Sequence, residues 1–430
     1  MLQKKCTVSM KTNNDLSFLD NTNHPDVIKG HIRHITGTIR DKLNRYTVES
    51  ILLTGSASYG GIGVIRLNEC FIPYGDYDFA ILCKKTPSPE IIDELRWRMN
   101  KDLFGGTDPT RGPLIDISVY NSKKRIRLNC DLSSYDSLET YKVLWGKDIF
   151  SNCRLRIEDV PPVSSFRLLM NRFSHLVISF SEEFLSRTPN KNELIDIEKN
   201  ILKTYIEIGG AIALLNNRYH TNLNDRLQTF NINNPLKSFT KEEYQKLIEK
   251  IKYVTDKKLH PEESIYPDWH KERTIAGNYV LKIVPLLLQE ITDSFINKNQ
   301  IQDFVVQSMP KYYFSPYLQY EIKQRTGLSL PKHLLNLCSI GANIYERFLF
   351  SRKFACIKTG LTKWQSPILI YYWIIIHLFN CSTDSRKCRI DTIFISRLKQ
   401  EMKEKNNIVS WEDIRTIAKN IWDNYAGRRW

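Results

Sequence analysis

Apolar positions set the order of elements along this chain. Within residues 24–45, Val27, Ile28, Ile32, Ile35 and Ile39, with His31 on the same face, recur at helical spacing. Residues 48–53 form a short, β-branched apolar run that ends at Thr54-Gly55-Ser56, the pattern of a buried strand stopping in a tight turn. Residues 76–83 (DYDFAILC) and 114–120 (LIDISVY) repeat that strand pattern, and 126–132 reads as a fourth strand. Between them, 88–103 has helical spacing with Pro89 near its start. The alternation is that of an α/β domain. After Pro161-Pro162 the pattern turns helical: 166–184 is amphipathic and 192–216 is a long helical run. Thr240 with Glu243, and Ser410 with Asp413, are the reciprocal pairs that cap helices running toward Val254 and Asn424. A looser stretch, 257–269, carries Pro261 and Pro267. The predicted organisation is a polar, flexible 1–22, an α/β domain over 23–160, a helical domain over 161–300, and a second helical unit over 301–430.

The most apolar run, 368–379, is too short to span a bilayer and reads as a buried core helix. The first twenty or so residues are polar and lack the apolar region of a secretory signal. Nine cysteines with no CxxC pair give no zinc or disulfide framework and suit free thiols in a reducing compartment. These features predict a cytoplasmic protein that does not enter a membrane. The formal charge of +15 favours polyanionic partners such as NTPs or nucleic acid. Because Lys and Arg are spread along the chain without a long basic block, simple solubility accounts for the charge equally well.

The chemistry concentrates in residues 52–82 (LLTGSASYGGIGVIRLNECFIPYGDYDFAIL). Alternate residues of a strand share a face, so Asp76 and Asp78 project together on either side of Tyr77. Two carboxylates so placed call for a cation, and hard oxygen ligands favour Mg2+ or Mn2+. Asp116 sits inside another apolar strand, between Ile115 and Ile117, where a carboxylate is costly unless paired or metal-bound. If the two strands are neighbours, three carboxylates are available for two metal ions, an arrangement suited to in-line displacement at phosphorus. Asp131 is the rival for the third carboxylate. Gly55 permits close backbone approach to a phosphate, and the Ser56 hydroxyl with the N–H groups opening the next helix can hold it. No P-loop, nucleophile elbow, HExxH or dinucleotide fingerprint points to another enzyme class.

Gly55-Ser56, Asp76-Tyr77-Asp78 and Asp116 on their strands resemble the signature of the DNA polymerase beta-type nucleotidyltransferase superfamily. The resemblance implies an α/β palm, a mixed sheet with flanking helices, followed by a mainly α-helical C-terminal region. It implies two divalent ions and transfer of an NMP from an NTP to a hydroxyl, with release of pyrophosphate. By the same resemblance Asp76 and Asp78 bind both ions, while Asp116 binds the catalytic ion and orients or deprotonates the acceptor hydroxyl. Residues 135–147 (YDSLETYKVLWGK) and 203–227 (KTYIEIGGAIALLNNRYHTNLNDRL) are similar to later parts of such proteins, which makes Lys203 a candidate triphosphate contact; a solvated helix position is its plainer reading. The likeness covers roughly 48–227. Its departure is the long separation of Ser56 and Asp76, where 63–73 has room for a small hairpin that reshapes the acceptor or nucleotide site. The acceptor (nucleic acid, small molecule or protein) stays open. So do a non-catalytic palm that binds nucleotide or a partner, and a synthase of oligonucleotide second messengers. Tyr219, His220 and Arg226 read as surface, Trp364, Tyr371, Tyr372 and Trp373 as core, and His31 and His34 lack partners for a metal site.

Overall fold

A computed structural model describes residues 15–67, 70–105, 114–123, 128–230, 236–261, 268–353, 366–383, 388, 390–402, 408 and 410–423. The chain divides into two compact units. The first comprises Met1–Val160, His220–Gln228 and Lys252–Ile265; the second comprises Pro161–Tyr219, Thr229–Ile251 and Tyr266–Trp430. Of the stretch 1–22, residues 1–14 lie outside the described residues, and Leu16 and Leu19 are buried.

In the first unit α1 (Pro25–Lys42) precedes β1 (Val48–Thr54), a hairpin of β2 (Val64–Leu67) and β3 (Cys70–Pro73), and β4 (Tyr77–Cys83). Then come α2 (Pro89–Phe104), β5 (Ile115–Asn121), α3 (Leu132–Thr140) and β6 (Lys142–Gly146). Four strands form one mixed sheet in the order β5-β4-β1-β6. β1 runs antiparallel to β4 and β6, and β4 runs parallel to β5. The alternation of side chains divides the sheet into two faces. One carries Ile51, Leu53, Tyr77, Phe79, Ile81, Ile115 and Ile117, all buried. On this face His31 of α1 meets the rings of Tyr77 and of Phe104, from α2, edge-on. The other face carries Leu52 and Ala80, covered by Phe150 with Tyr120, Leu138 and Tyr141 packed around it.

The fourth strand is not where the apolar pattern put it. Residues 128–130 form no strand and Leu132 begins α3; 124–127 lie outside the described residues. Asp131 explains the change: its carboxylate accepts from the Ser134 N–H at 2.9 Å and caps α3, so the chain turns helical there. β6 supplies the missing strand. The extra length between Ser56 and Asp76 is indeed a hairpin, with Ile65 opposite Ile72.

From 161 on the described chain is helical: α4 (Pro162–Ile178), α5 (Lys191–Leu215), α6 (Leu223–Gln228), α7 (Lys241–Leu259), α8 (Trp269–Thr292), α9 (Ile301–Gln307) and α10 (Ser315–Thr326). These are followed by α11 (Lys332–Lys353), α12 (Pro367–Cys381), α13 (Thr392–Met402) and α14 (Trp411–Ile421). Both expected capping pairs are formed, Thr240 with Glu243 and Ser410 with Asp413. The core of the second unit is α4, α5, α8 and α12. Every residue of α12 from Pro367 to Phe379 is buried, and no helix among the described residues is long and apolar enough to cross a membrane. Tyr371, Tyr372 and Trp373 are core residues as expected, while Trp364 lies outside the described residues. Arg273 is fully buried, and among the described residues no carboxylate pairs with it. It donates to the Leu176 carbonyl at 3.1 Å and the Ser382 hydroxyl at 2.9 Å, and it lies over the Phe180 ring.

α8 and α12 touch through Gly277. A side-chain carbon there would lie 2.1 Å from Cε2 of Phe379, which also packs on Phe173 with ring centroids 5.0 Å apart. Gly277→Val is therefore expected to lower stability by about 2 kcal/mol through overpacking. A thermal melt reads this directly, and an unchanged melting temperature contradicts the packing described.

Candidate functional site

The sheet ladder brings the carboxylates of the first unit together. Asp78 of β4 is in register with Thr54 of β1 on one side and with Asp116 of β5 on the other. In-register neighbours present their side chains to the same face, so Asp78 and Asp116 stand side by side. Asp76 stands immediately before β4, and both Asp76 and Asp78 are half-buried.

The turn that follows β1 lies over this strand start. Gly55 has φ 65° and ψ −160°, a conformation that side-chain-bearing residues avoid. A side-chain carbon there would fall 2.1 Å from Oδ2 of Asp78, so glycine is required both by the backbone and by the carboxylate beside it. The Ser56 hydroxyl is 3.6 Å from where a side-chain carbon would stand on Gly75, next to Asp76. Instead of the helix expected after Gly55-Ser56, a single 3-10 turn, Ser56–Tyr59, ends at Gly60 in the left-handed region. The turn is held from below. The fully buried Ser58 hydroxyl lies 2.7 Å from the Gly55 carbonyl and 2.8 Å from the Thr140 hydroxyl, and Thr140 in turn donates to the Asp136 carbonyl. The Asp136 carboxylate accepts from Thr221 at 2.8 Å. Arg226, expected at the surface, is buried and donates to the carbonyls of His220 and Thr221; it braces this segment.

Asp116 has a partner that sequence reasoning missed. β5 is an edge strand of the sheet, and Arg96 of α2 reaches it. Nη2 of Arg96 donates to Oδ1 of Asp116 and, at 2.8 Å, to the Ile117 carbonyl; Nη1 donates to Asp93 at 3.1 Å. The same Oδ1 accepts from the Ile117 N–H at 2.8 Å. Oδ1 of Asp116 thus accepts two hydrogen bonds. Nothing local to Arg96 announces this role; the signal was the need of a carboxylate within an apolar strand for a counter-charge.

Behind the aspartates, Tyr77 is fully buried and its hydroxyl lies 3.0 Å from Nδ1 of His31. Burial, with a smaller push from His34, pulls the pKa of His31 down to about 4, so the ring is neutral around pH 7. Burial also raises the Tyr77 hydroxyl.

Gly55, Ser56, Asp76, Asp78 and Asp116 are therefore gathered at one end of the sheet. Lys203 lies on α5, in the second compact unit. Asp131 is a helix cap. Oxygen donors of this kind suit Mg2+ or Mn2+, and the space left by Gly55 accommodates the Asp78 carboxylate. Among the described residues, however, no three His, Cys, Asp or Glu side chains are already grouped closely enough to hold a metal ion. Set against protein-family models, characterised proteins and solved structures, the chain matches none.

His31 makes the support of β4 sensitive to acid. The unfolded chain binds the His31 proton near pH 6.5 and the folded chain only near pH 4. Between these values the unfolded state holds more protons, so stability is lost as pH falls through the window, by on the order of 3 kcal/mol, with no further loss from this group below it. Urea melts across that range are expected to show a shallower loss in His31→Phe than in the wild type; equal slopes contradict the assignment.

Proposed function

We propose that the first unit is a nucleotidyltransferase palm, and that this chain transfers an NMP from an NTP to a hydroxyl acceptor in a Mg2+- or Mn2+-dependent reaction. The observation that carries this reading is the register pair Asp78–Asp116, with Asp76 before the same strand and the Gly55 turn against Asp78. Each residue then has a task. Asp76 and Asp78 would hold the cation that accompanies the triphosphate. Gly55, lacking a side chain, lets the backbone come close to the phosphates, and the Ser56 hydroxyl donates to them. Oδ2 of Asp116 accepts the proton of the acceptor hydroxyl as its oxygen bonds to the α-phosphorus. The bond between the α- and β-phosphates breaks, and pyrophosphate leaves. Divalent ions, when bound, activate the attacking oxygen and offset the charge on the leaving group. The acceptor class (nucleic acid, small molecule or protein) follows from none of these contacts.

A second reading, a palm that binds nucleotide or a partner without turnover, is favoured by one observation: Arg96 sits on Asp116 and compensates the charge that catalysis needs. A third, an oligonucleotide synthase, uses the same aspartates and consumes NTPs with no added acceptor.

Pyrophosphate release from each of the four NTPs, with Mg2+ or Mn2+ and with or without RNA, separates them. The proposal expects release by the wild type that falls by a factor of about a thousand or more in Asp76→Ala/Asp78→Ala, as loss of charge stabilisation at a metal site implies. Release that persists in the double variant overturns the catalytic assignment. Nucleotide binding without release in any mixture, cell extract included, favours the binding-only palm.

A further inference from the structure

A cavity of about 470 Å³ opens in the first unit, away from the aspartates. Tyr135, Leu138 and Glu139 of α3 line one side, and Tyr141, Phe150 and the chain from Ser151 to Glu158 line the rest. Its floor is joined to the sheet: Phe150 meets the Tyr141 and Tyr120 rings edge-on, with centroids 5.3 and 6.0 Å away. Tyr120 lies on the same strand as Asp116, four positions on, so the cavity is on the order of 13 Å farther along that face.

Three features say what such a cavity takes. Its size is that of a small-molecule site. Its walls present two tyrosine rings and a phenylalanine ring, which suit a planar ligand. Its rim carries charges of both signs, Glu139 and Glu158 with Arg154 and Arg156. Arg156 is engaged by Asp159 at 3.0 and 3.2 Å, but Arg154, Glu139 and Glu158 make no hydrogen bond or ion pair among the described residues. Burial first, and then the charges of Glu139, Asp136 and Glu158, raise the Tyr135 hydroxyl above its ordinary value. The Tyr141 hydroxyl bonds to Asp148 at 2.9 Å, and the charge of Arg154 acts on it as well.

A ligand that fits is planar and bears both amino donors and an anionic group. Glutamates accept from an exocyclic amino group, and an arginine fork matches phosphate. We propose that this cavity binds an adenine nucleotide, at a site distinct from Gly55, Ser56, Asp76, Asp78 and Asp116. The ring lies against Tyr135 and Tyr141, its amino group faces Glu139 and Glu158, and its phosphates face Arg154. The inference does not rest on the catalytic reading, because none of the lining residues belongs to that group.

The test is ADP binding to the full chain in EDTA, measured by isothermal titration. Without divalent ions a nucleotide has no metal bridge to the aspartates, which isolates the cavity. The expected result is saturable binding that weakens roughly tenfold or more in Tyr135→Ala, as loss of a stacking ring implies, and also in Arg154→Glu. Arg154 is exposed, so its replacement leaves the core intact, and circular dichroism verifies this for both variants. Asp76→Ala/Asp78→Ala is expected to bind ADP in EDTA like the wild type. Absence of saturable binding at millimolar ADP overturns the proposal. So does binding indifferent to both cavity variants, or binding lost in the aspartate variant.

Discussion

Two carboxylates on neighbouring parallel strands, Asp78 and Asp116, are the arrangement on which the rest of the first unit turns. Like charges facing one another across a ladder are destabilising. The pairing is nonetheless imposed, because a slip of one residue would carry Tyr77, Phe79, Ile115 and Ile117 from the buried face to the other. Hydrophobic register thus places the acids side by side, and the surroundings must answer their charge. Arg96 does so for Asp116 from the open edge of the sheet. The space over Asp78 is kept by Gly55, whose left-handed conformation only glycine adopts without strain.

The fold spreads the support of that turn through the unit. Ser58, Thr140, Asp136 and Thr221 link the Gly55 carbonyl to the end of α3 and to the segment braced by Arg226. Beneath β4 the His31–Tyr77 contact fixes the residue between the two acids. The site is therefore held from both faces of the sheet by buried polar contacts, each costly to leave unmatched.

Much of this is legible in the amino-acid sequence. β1, β4 and β5 announced themselves because buried strands are short, β-branched and continuous in apolar residues, and the capping pairs at Thr240 and Ser410 work through local geometry alone. β6 escaped notice because Lys142–Gly146 has one fully buried position, Leu144, and so no strong apolar pattern. The stretch 126–132 misled because Asp131 acts as a cap, a choice made by one hydrogen bond rather than by periodicity. The short turn after Ser56 follows from Gly60 and Gly61, which stop a helix before it forms. Of the candidate residues, those joined by strand register came together, since register is a local consequence of alternation. Arg96 and Arg226 were invisible because their partners are distant or backbone atoms.

The central claim is that the start of β4 holds a divalent ion together with a nucleotide. Crystals soaked with Mn2+ and a non-hydrolysable NTP, measured at the manganese absorption edge, address it without recourse to activity. The account predicts an anomalous peak bridging the carboxylates of Asp76 and Asp78 within about 2.0–2.6 Å, with the triphosphate against Gly55 and Ser56. Manganese absent from these carboxylates, with the Arg96–Asp116 pair intact and the nucleotide elsewhere, contradicts it.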